Sequence, residues 1–426
     1  MDRKLFSRFV FLAIFEFCSA FLCFAENSVL ENIDFSASIK TEAGVGLWYT
    51  ENSGDFTIGT LTAQGELKGY FGPSSFFADG RLSFDATELD KQDPEVFSAK
   101  IKELFYTYDG SWWALKIGRQ ISTWGAADGL AVTNVLCPND YTCLSSEKIS
   151  DQKIGLDALK LSFNNSFFIL DMYYIPFFTP SKLPLNEKSL MSKVFFKEIY
   201  EKGLQIGKLE KPGLNLKNSE YAARLAFFFP FADFSFYGFY GFDDLPVQKV
   251  CVQGENYVLC GEYKHLGMAG FDTSIPIKDF TFRFEGAVFP EKCFSTFTEK
   301  IYERHTEAVL LGGLDWIKGD WTVSSQYYAD YIFGNLEDID KKRYEHSVTM
   351  NVGRSFLGGN LELEIAVLLG LNDFDSFVQP QIDYAVTDNM RITLSALIYN
   401  EGPSNPGTYG KYKDLSSITI SGKFTF

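Results

Sequence analysis

The sequence predicts an all-β fold, a transmembrane antiparallel β-barrel of about 18 strands. Three observations lead to this fold class. Apolar and polar residues alternate along many segments, short and long links alternate between those segments, and the chain ends in a strand whose last residue is Phe426. Strand boundaries taken from sequence are uncertain by a few residues, so the predicted number lies between about 16 and 18.

The strand prediction rests on period-two alternation, in which every second side chain lies on the same face. Alternation is clearest in residues 33–47, 280–288, 321–331, 361–367 and 392–398. Several of these segments approach or exceed about ten residues, whereas an ordinary strand has about five or six. Such length is typical of strands that cross a membrane at a tilt.

The links between these segments are alternately short and long. The predicted tight turns, rich in Gly, Pro, Asn, Asp or Ser, are 72–75, 109–111, 164–166, 230–233, 276–279, 318–320, 357–360 and 387–389. The longer predicted links are 51–55, 87–98, 122–153, 177–219, 243–264, 290–305, 333–344, 371–376 and 400–416. In outer-membrane barrels the short turns face the periplasm, so both termini are predicted to be periplasmic.

The final strand is predicted to close the barrel. Ile418, Ile420, Phe424 and Phe426 share one face of this strand. We expect it to pair with the strand at 33–47, since closure removes every sheet edge. Phe424 and Phe426 are predicted to form the signal that the barrel-assembly machinery recognises.

The amino end predicts export from the cytoplasm. Residues 1–25 combine a charged start with a short apolar run, and cleavage is expected after Ala25. Cys23 leaves a lipoprotein as an alternative, which the large Leu22 before it disfavours. Residues 26–426 are then predicted to form a single outer-membrane barrel domain.

The composition agrees with a membrane barrel. The mean hydropathy is only −0.06, as expected when every second strand residue faces lipid. Aromatic residues make up 17% of the chain, which suits aromatic girdles at the two membrane interfaces. The net charge of −16 argues against nucleic acid as a partner. It fits acidic outer loops or a lumen that prefers cations.

The third long link is the predicted constriction. A barrel of about 18 strands has a lumen too wide for its wall side chains to fill, so water or inserted loops must occupy it. Residues 119–153 are predicted to fold inward, because 126–136 is mostly small or apolar. Charged side chains lining a pore select its solutes. The constriction candidates are Arg119, Gln120, Trp124, Asp128, Asn134 and Asp140, with the alternative that several of them only fix the loop to the wall.

The same segment carries a family resemblance. It contains Gly118-Arg119-Gln120, then Trp124-Gly125, Asp128, Asn134, Pro138 and Asp140. This pattern resembles the signature of a group of large bacterial outer-membrane barrels of unknown function. The resemblance implies a porin-like barrel and names no substrate.

The cysteines and histidines predict neither an enzyme nor a metal site. Cys137 and Cys143 are disulfide candidates in the third long link, as are Cys251 and Cys260 in the fifth, while Cys293 is left over. The three histidines are scattered, and none lies in a motif that supplies a nucleophile with its base. The histidines are His265, His305 and His346. We therefore expect no cofactor, no metal and no catalytic residue.

The fourth long link is predicted to contain a helix. Asn186 is the expected cap, and Met191, Phe195 and Ile199 would share one helical face. Such a helix fits a lid over the pore, a host-facing surface or a solvated loop.

The predicted function is a porin-like channel of the bacterial outer membrane, through which small solutes diffuse passively. One alternative is a transporter of hydrophobic compounds that resembles fatty-acid channels. Only residues 26–32 precede the first predicted strand, which leaves no room for the plug of such a transporter. A barrel-anchored surface adhesin or antigen stays open, because the links at 177–219 and 243–264 are long. The expected partners are outer-membrane lipids, the assembly machinery and a small solute, with monomer and homo-oligomer both open.

Overall fold

The computed structural model describes residues 32–89, 96–125, 130–142, 152–253, 256–296, 302–339 and 341–426. Within these residues, 18 strands form one closed sheet in which each barrel strand is antiparallel to its two neighbours. The predicted all-β barrel of about 18 strands is therefore confirmed. The predicted signal peptide, residues 1–25, lies outside the described residues.

The strands follow the chain order around the barrel, apart from three that belong to a second sheet. The first barrel strands are β1 Ile33–Gly46, β2 Phe56–Phe71, β3 Ser74–Asp85, β4 Phe97–Asp109, β5 Trp113–Gln120, β6 Leu156–Asn164 and β7 Phe168–Ile175. The next are β9 Glu220–Phe229, β10 Ala232–Phe242, β13 His265–Ile277, β14 Phe280–Ser295, β15 Tyr302–Lys318 and β16 Trp321–Ile332. The last are β17 Tyr344–Phe356, β18 Leu361–Gly370, β19 Ser376–Thr387, β20 Met390–Asn400 and β21 Ser417–Thr425. The separate sheet contains β8 Gln205–Glu210, β11 Val247–Gln253 and β12 Asn256–Glu262.

Pairing of the last strand with the first closes the barrel, as predicted. Phe424 lies opposite Ile39, and Ile418 lies opposite Val45. The amide of Phe426 donates to the carbonyl oxygen of Ala37 at 2.8 Å. The start of β1 and the end of β21 therefore lie at the same end of the barrel, the end with the short turns.

The two faces of the wall differ in polarity. On β14 the side chains of Phe282 and Phe284 point outward and are exposed, whereas Glu285 points inward and is 1% exposed. The same alternation continues on neighbouring strands, where the exposed outward residues include Phe271, Leu310, Leu314, Tyr327 and Tyr331. An apolar outer face with a polar inner face is the pattern of a barrel in a membrane.

The links match the predicted alternation of short turns and long loops, with one difference. Short turns join β2 to β3, β4 to β5 and the corresponding later pairs, at all eight predicted places. The predicted link at 290–305 is mostly strand, because β14 runs to Ser295 and β15 begins at Tyr302. A register shift between Phe289 and Lys292 lets this hairpin continue beyond Pro290.

The helix predicted in the fourth long link is present, but it begins later and is interrupted. One helix spans Leu190–Phe195, with the Ser189 hydroxyl accepting from the Ser192 amide, and a second spans Lys197–Glu201. Asn186 is not its cap, because the Asn186 side chain accepts from the Lys188 amide in a turn before the helix. A four-residue helix at Gly407–Gly410 lies in the last link. Among the described residues, no helix has the length and apolar character needed to cross a membrane.

Candidate functional site

The link between β5 and β6, residues 121–155, is here called loop 3, and its described residues 121–125 and 130–137 enter the barrel lumen. The ring of Trp124 packs against the wall residues Tyr173 and Tyr237, with centroids 5.9 and 4.9 Å apart. Loop 3 and the inner wall share one apolar cluster. Its buried members are Trp124, Val132, Leu136, Cys137, Leu156, Ala158, Tyr173, Ile175, Ala222, Tyr237, Phe239, Leu266, Met268, Ala287, Phe289, Val309 and Leu311.

A buried carboxylate holds the middle of loop 3 against the far wall. Glu285 accepts two hydrogen bonds from Thr133, at 2.8 Å from its amide and 2.7 Å from its hydroxyl. Both side chains are almost inaccessible, at 1% and 0% exposure. The amide of Gly125 donates to the Tyr237 hydroxyl at 3.3 Å, and the Tyr237 hydroxyl donates to Asp272. Loop 3 therefore crosses the lumen and is fixed on β10, β13 and β14.

Asp140 fixes the later part of loop 3 near the rim. Its carboxylate pairs with Lys100 of β4 at 2.6 Å and accepts from the Thr142 amide at 3.1 Å. Burial opposes ionisation of Asp140. The Lys100 ammonium and the Thr142 hydrogen bonds outweigh burial, so the pKa of Asp140 lies below its ordinary value. Asp140 acts as an anchor of the loop in this arrangement.

Arg119 was predicted to lie at the constriction, but its side chain points away from the lumen. It lies opposite Leu104 on one side and Asp157 on the other, on the same outer face as Ile117. Its guanidinium makes two hydrogen bonds to Asp157, at 3.0 and 2.8 Å. An outward side chain cannot line the pore, so the assignment of Arg119 to the constriction is corrected.

Trp124 and Asn134 have structural contacts within loop 3 and with the wall, and Gln120 bonds to the neighbouring wall strand. Gln120 points inward, is 2% exposed and donates to the Ala158 carbonyl oxygen at 3.0 Å. The Asn134 side-chain oxygen accepts from the Trp124 amide at 3.3 Å, which ties two parts of loop 3 together. Gln120, Trp124 and Asn134 thus occupy structural positions between loop and wall. Asp128 lies outside the described residues.

The described residues leave openings beside the inserted loops, and two of them lie on different sides of the barrel. The first has a volume of about 180 Å³ and lies between loop 3, at Leu130 and Ala131, and the wall at β16–β18. Its lining includes Tyr328, Asp330 and Glu345, none of which was a predicted site residue. The inward direction of Tyr328 and Asp330 could have been predicted from the sequence. Alternation along β16 places these two side chains on the face that Tyr327 and Tyr331 do not share. The second opening, of about 320 Å³, lies between the helix Leu190–Phe195 and the start of β2.

The links 176–219 and 243–264, here called loops 4 and 5, fold together into a cap over the mouth. β8 of loop 4 pairs in parallel with β12 of loop 5. Leu183, Phe196 and Leu259 are buried together between the two loops. Neither β8 nor the β11–β12 hairpin was predicted.

Phe195 and Lys197 join this cap to the opposite rim, and the ring of Phe195 lies 6.4 Å from that of Tyr412 in the link β20–β21. The Lys197 ammonium lies 3.1 Å from Asp414 and 3.4 Å from Glu51, which belong to the links β20–β21 and β1–β2. The hydrogen bond to Asp414 is the main cause that raises the pKa of Lys197. The cap therefore extends from the β7–β9 side across to the links beside β1 and β21.

The cysteines do not form disulfides within the described residues. Cys137 is a free thiol in the apolar cluster of loop 3, and burial raises its pKa to about 11. Its predicted partner Cys143 lies outside the described residues. Cys251 and Cys260 lie diagonally across the β11–β12 strand pair, on the same face of the hairpin, and both are free thiols. A disulfide between them stays a prediction. Cys293 lies in β14, in the part that had been predicted as a loop.

The fold is similar to several solved structures of bacterial proteins. OccK8 (OprE) of Pseudomonas aeruginosa matches with a TM-score of 0.56 and 10% identity, over 94% of this chain and 99% of that one. OccAB1 of Acinetobacter baumannii matches with 0.56 and 13%, over 94% and 98%. The outer membrane protein opdK of P. aeruginosa matches with 0.55 and 7%, over 93% and 99%. At these identities the likeness concerns the fold. No protein-family model matches the chain, and no curated protein is significantly similar to it.

Proposed function

We propose that the protein is a porin-like channel of a bacterial outer membrane, through which small polar solutes diffuse passively. The observation that carries the proposal is the narrowed polar lumen, with loop 3 fixed across it by Thr133 and Glu285 and a residual opening at Leu130 and Ala131. The apolar outer face requires a lipid surrounding. The similar fold of opdK, an outer membrane protein, supports the location.

The narrowest passage is proposed to lie between loop 3 and the wall at β16–β18, and to prefer cations. Four carboxylates line this opening, Asp330, Glu345, Asp373 and Asp375, against one ammonium group, Lys342. Lys342 is itself paired with Asp373, and nearby Lys341 lies 3.8 Å from Asp330. Fixed negative charge in a narrow aqueous passage attracts cations and repels anions.

Planar-bilayer recording tests both parts of the proposal. Purified protein is expected to form channels whose reversal potential in a salt gradient indicates cation preference. Glu345→Gln is expected to reduce that preference because it removes one negative charge from the passage. Arg119→Gln is the matched control, since it removes a charge from the outer face and leaves conductance and preference unchanged.

The channel activity and the position of the cation-selective passage can be refuted separately. Absence of channels in several lipids, with a folded protein, contradicts the channel. Channels with unchanged preference in Glu345→Gln contradict only the position of the passage. Liposome swelling with sugars, amino acids and fatty acids then separates a polar-solute channel from a transporter of hydrophobic compounds. The polar inner wall favours the channel over that transporter.

Assembly is proposed to follow the route of other outer-membrane barrels. Phe424 and Phe426 point outward at the end of β21, with ring centroids 4.8 Å apart. The barrel-assembly machinery would recognise this strand before it pairs with β1. The short-turn end would then face the periplasm, together with the start of β1 and the end of β21.

A further inference from the structure

One arginine stands on the lipid-facing side of the barrel at its short-turn end. Arg354 lies on β17, two residues before the strand ends, and its side chain is exposed. Its cross-strand partners are Trp321, the first residue of β16, and Leu363 of β18. Both partners belong to the apolar outer face. Arg354 is therefore an outward cation at the edge of the apolar belt.

The guanidinium of Arg354 rests on aromatic rings. Its central carbon lies 4.7 Å from the ring centroid of Trp321 and 4.5 Å from that of Phe356. Stacking of this kind holds the planar group while its N–H edges stay available for an anion. The position is thus preorganised for a second, negatively charged contact.

Arg354 has no ion pair within the described part of the chain, unlike the outward arginines of the loop end. There Arg119 pairs with Asp157 at 2.8 Å, and Arg304 lies 3.4 Å from Glu291. An unpaired charge on the lipid face is costly at the middle of the bilayer, and the cost falls almost to zero at the interface. A place beside a turn, with an aromatic pair, is where such a charge meets lipid headgroups.

We propose that Arg354, Trp321 and Phe356 form a binding site for the phosphate diester of a phospholipid headgroup. The guanidinium would donate two parallel hydrogen bonds to the phosphate oxygens, a geometry that suits arginine better than lysine. Trp321, Phe356 and the neighbouring Leu363 would contact the glycerol and the upper acyl chain. The site belongs to the leaflet on the short-turn side. It requires a membrane barrel but does not require conduction.

The test is phospholipid retention by the whole purified barrel, measured by native mass spectrometry in detergent during titration with phosphatidylglycerol. Arg354→Gln is expected to weaken the tightest binding roughly tenfold, since one charge-assisted pair of hydrogen bonds is lost. Arg354→Lys should fall between Gln and the native protein. Arg391→Gln is the matched control. Arg391 lies at the same end but faces the lumen, where it is 3.6 Å from Glu362.

Competition experiments with two compounds distinguish a phospholipid from free phosphate as the ligand, and a gel assay checks that each variant is folded. Diacylglycerol, which lacks the phosphate, should not compete, and soluble glycerol 3-phosphate should compete only weakly. Equal competition by glycerol 3-phosphate would assign the site to free phosphate and overturn the lipid proposal. Equal retention by Arg354→Gln and the native protein, or equal loss in Arg391→Gln, would overturn it as well.

Folding of each variant is checked by its heat-dependent mobility in SDS gels. If Arg354→Gln does not fold, Arg354→Lys and competition by diacylglycerol decide the question: native-like retention by the lysine variant, or effective competition by diacylglycerol, would overturn the proposal.

Discussion

The hydrogen bond from the Thr133 hydroxyl to Glu285 offers a sharp test of how loop 3 is held. Both groups are buried and the bond is 2.7 Å long. A hydrogen bond to a charged group contributes about 1.5–3 kcal/mol. Thr133→Val keeps the shape of the side chain and removes this donor, while the amide of residue 133 still donates. We therefore expect the free energy that holds the loop to fall by about 2 kcal/mol, which is roughly a thirtyfold larger detached population.

Two measurements report on that population. Hydrogen exchange of the loop 3 amides should accelerate about thirtyfold in Thr133→Val, provided that exchange occurs from the detached state. Single-channel recordings should show more frequent excursions to a higher conductance, because a detached loop widens the lumen. Thr133→Ser keeps the hydroxyl and serves as the control. Native exchange rates and native conductance in Thr133→Val would refute the idea that Glu285 holds the loop through this side chain.

Three further variants address other contacts. Gly125→Ala should disturb loop 3 more than Thr133→Val, because Gly125 has a φ of +84° and an added Cβ would overlap the Glu285 carboxylate; an unchanged channel would contradict this. The pKa of Asp140 is lowered by folding, so its stabilising contribution is complete above its ordinary value of 3.8 and is lost as the pH falls below that value. Lys100→Met should weaken this acid dependence of loop 3 exchange, since the Thr142 hydrogen bonds remain, and an undiminished acid dependence would show that another group is responsible. Deletion of Phe426 should reduce assembly of the barrel in vesicles, measured by the heat-dependent gel shift, while Phe426→Tyr should assemble normally.

Period-two alternation made most of the wall predictable from sequence. A membrane strand has lipid on one side and water on the other, so the direction of each side chain follows from its polarity. Phe282 and Phe284 are outward and Glu285 is inward for that reason. The same rule applied to Arg119 would have placed it outward, two residues after Ile117. The interpretation of Arg119 as a pore residue followed its charge and ignored its position in the strand.

The wall residues that hold loop 3 were harder to predict from the sequence. The apolar character of the loop indicated that it is buried, but nothing in its pattern selects the wall residues that it contacts. Thr133 and Glu285 are 152 residues apart, and both residue types are common in exposed loops and strands. A contact between them becomes visible only when the barrel brings β14 across from β5. Gly125 carried a weak signal, since a glycine in a loop often marks a close approach.

The cap shows why long loops resist prediction even when the barrel does not. β8 and β12 lie in different links, and their parallel pairing has no short turn to indicate it. Their shared cluster joins Phe196 and Leu259, which also lie in different links. Because this unit folds as one piece and reaches the opposite rim through Lys197, loops 4 and 5 cannot move independently without exposing apolar surface.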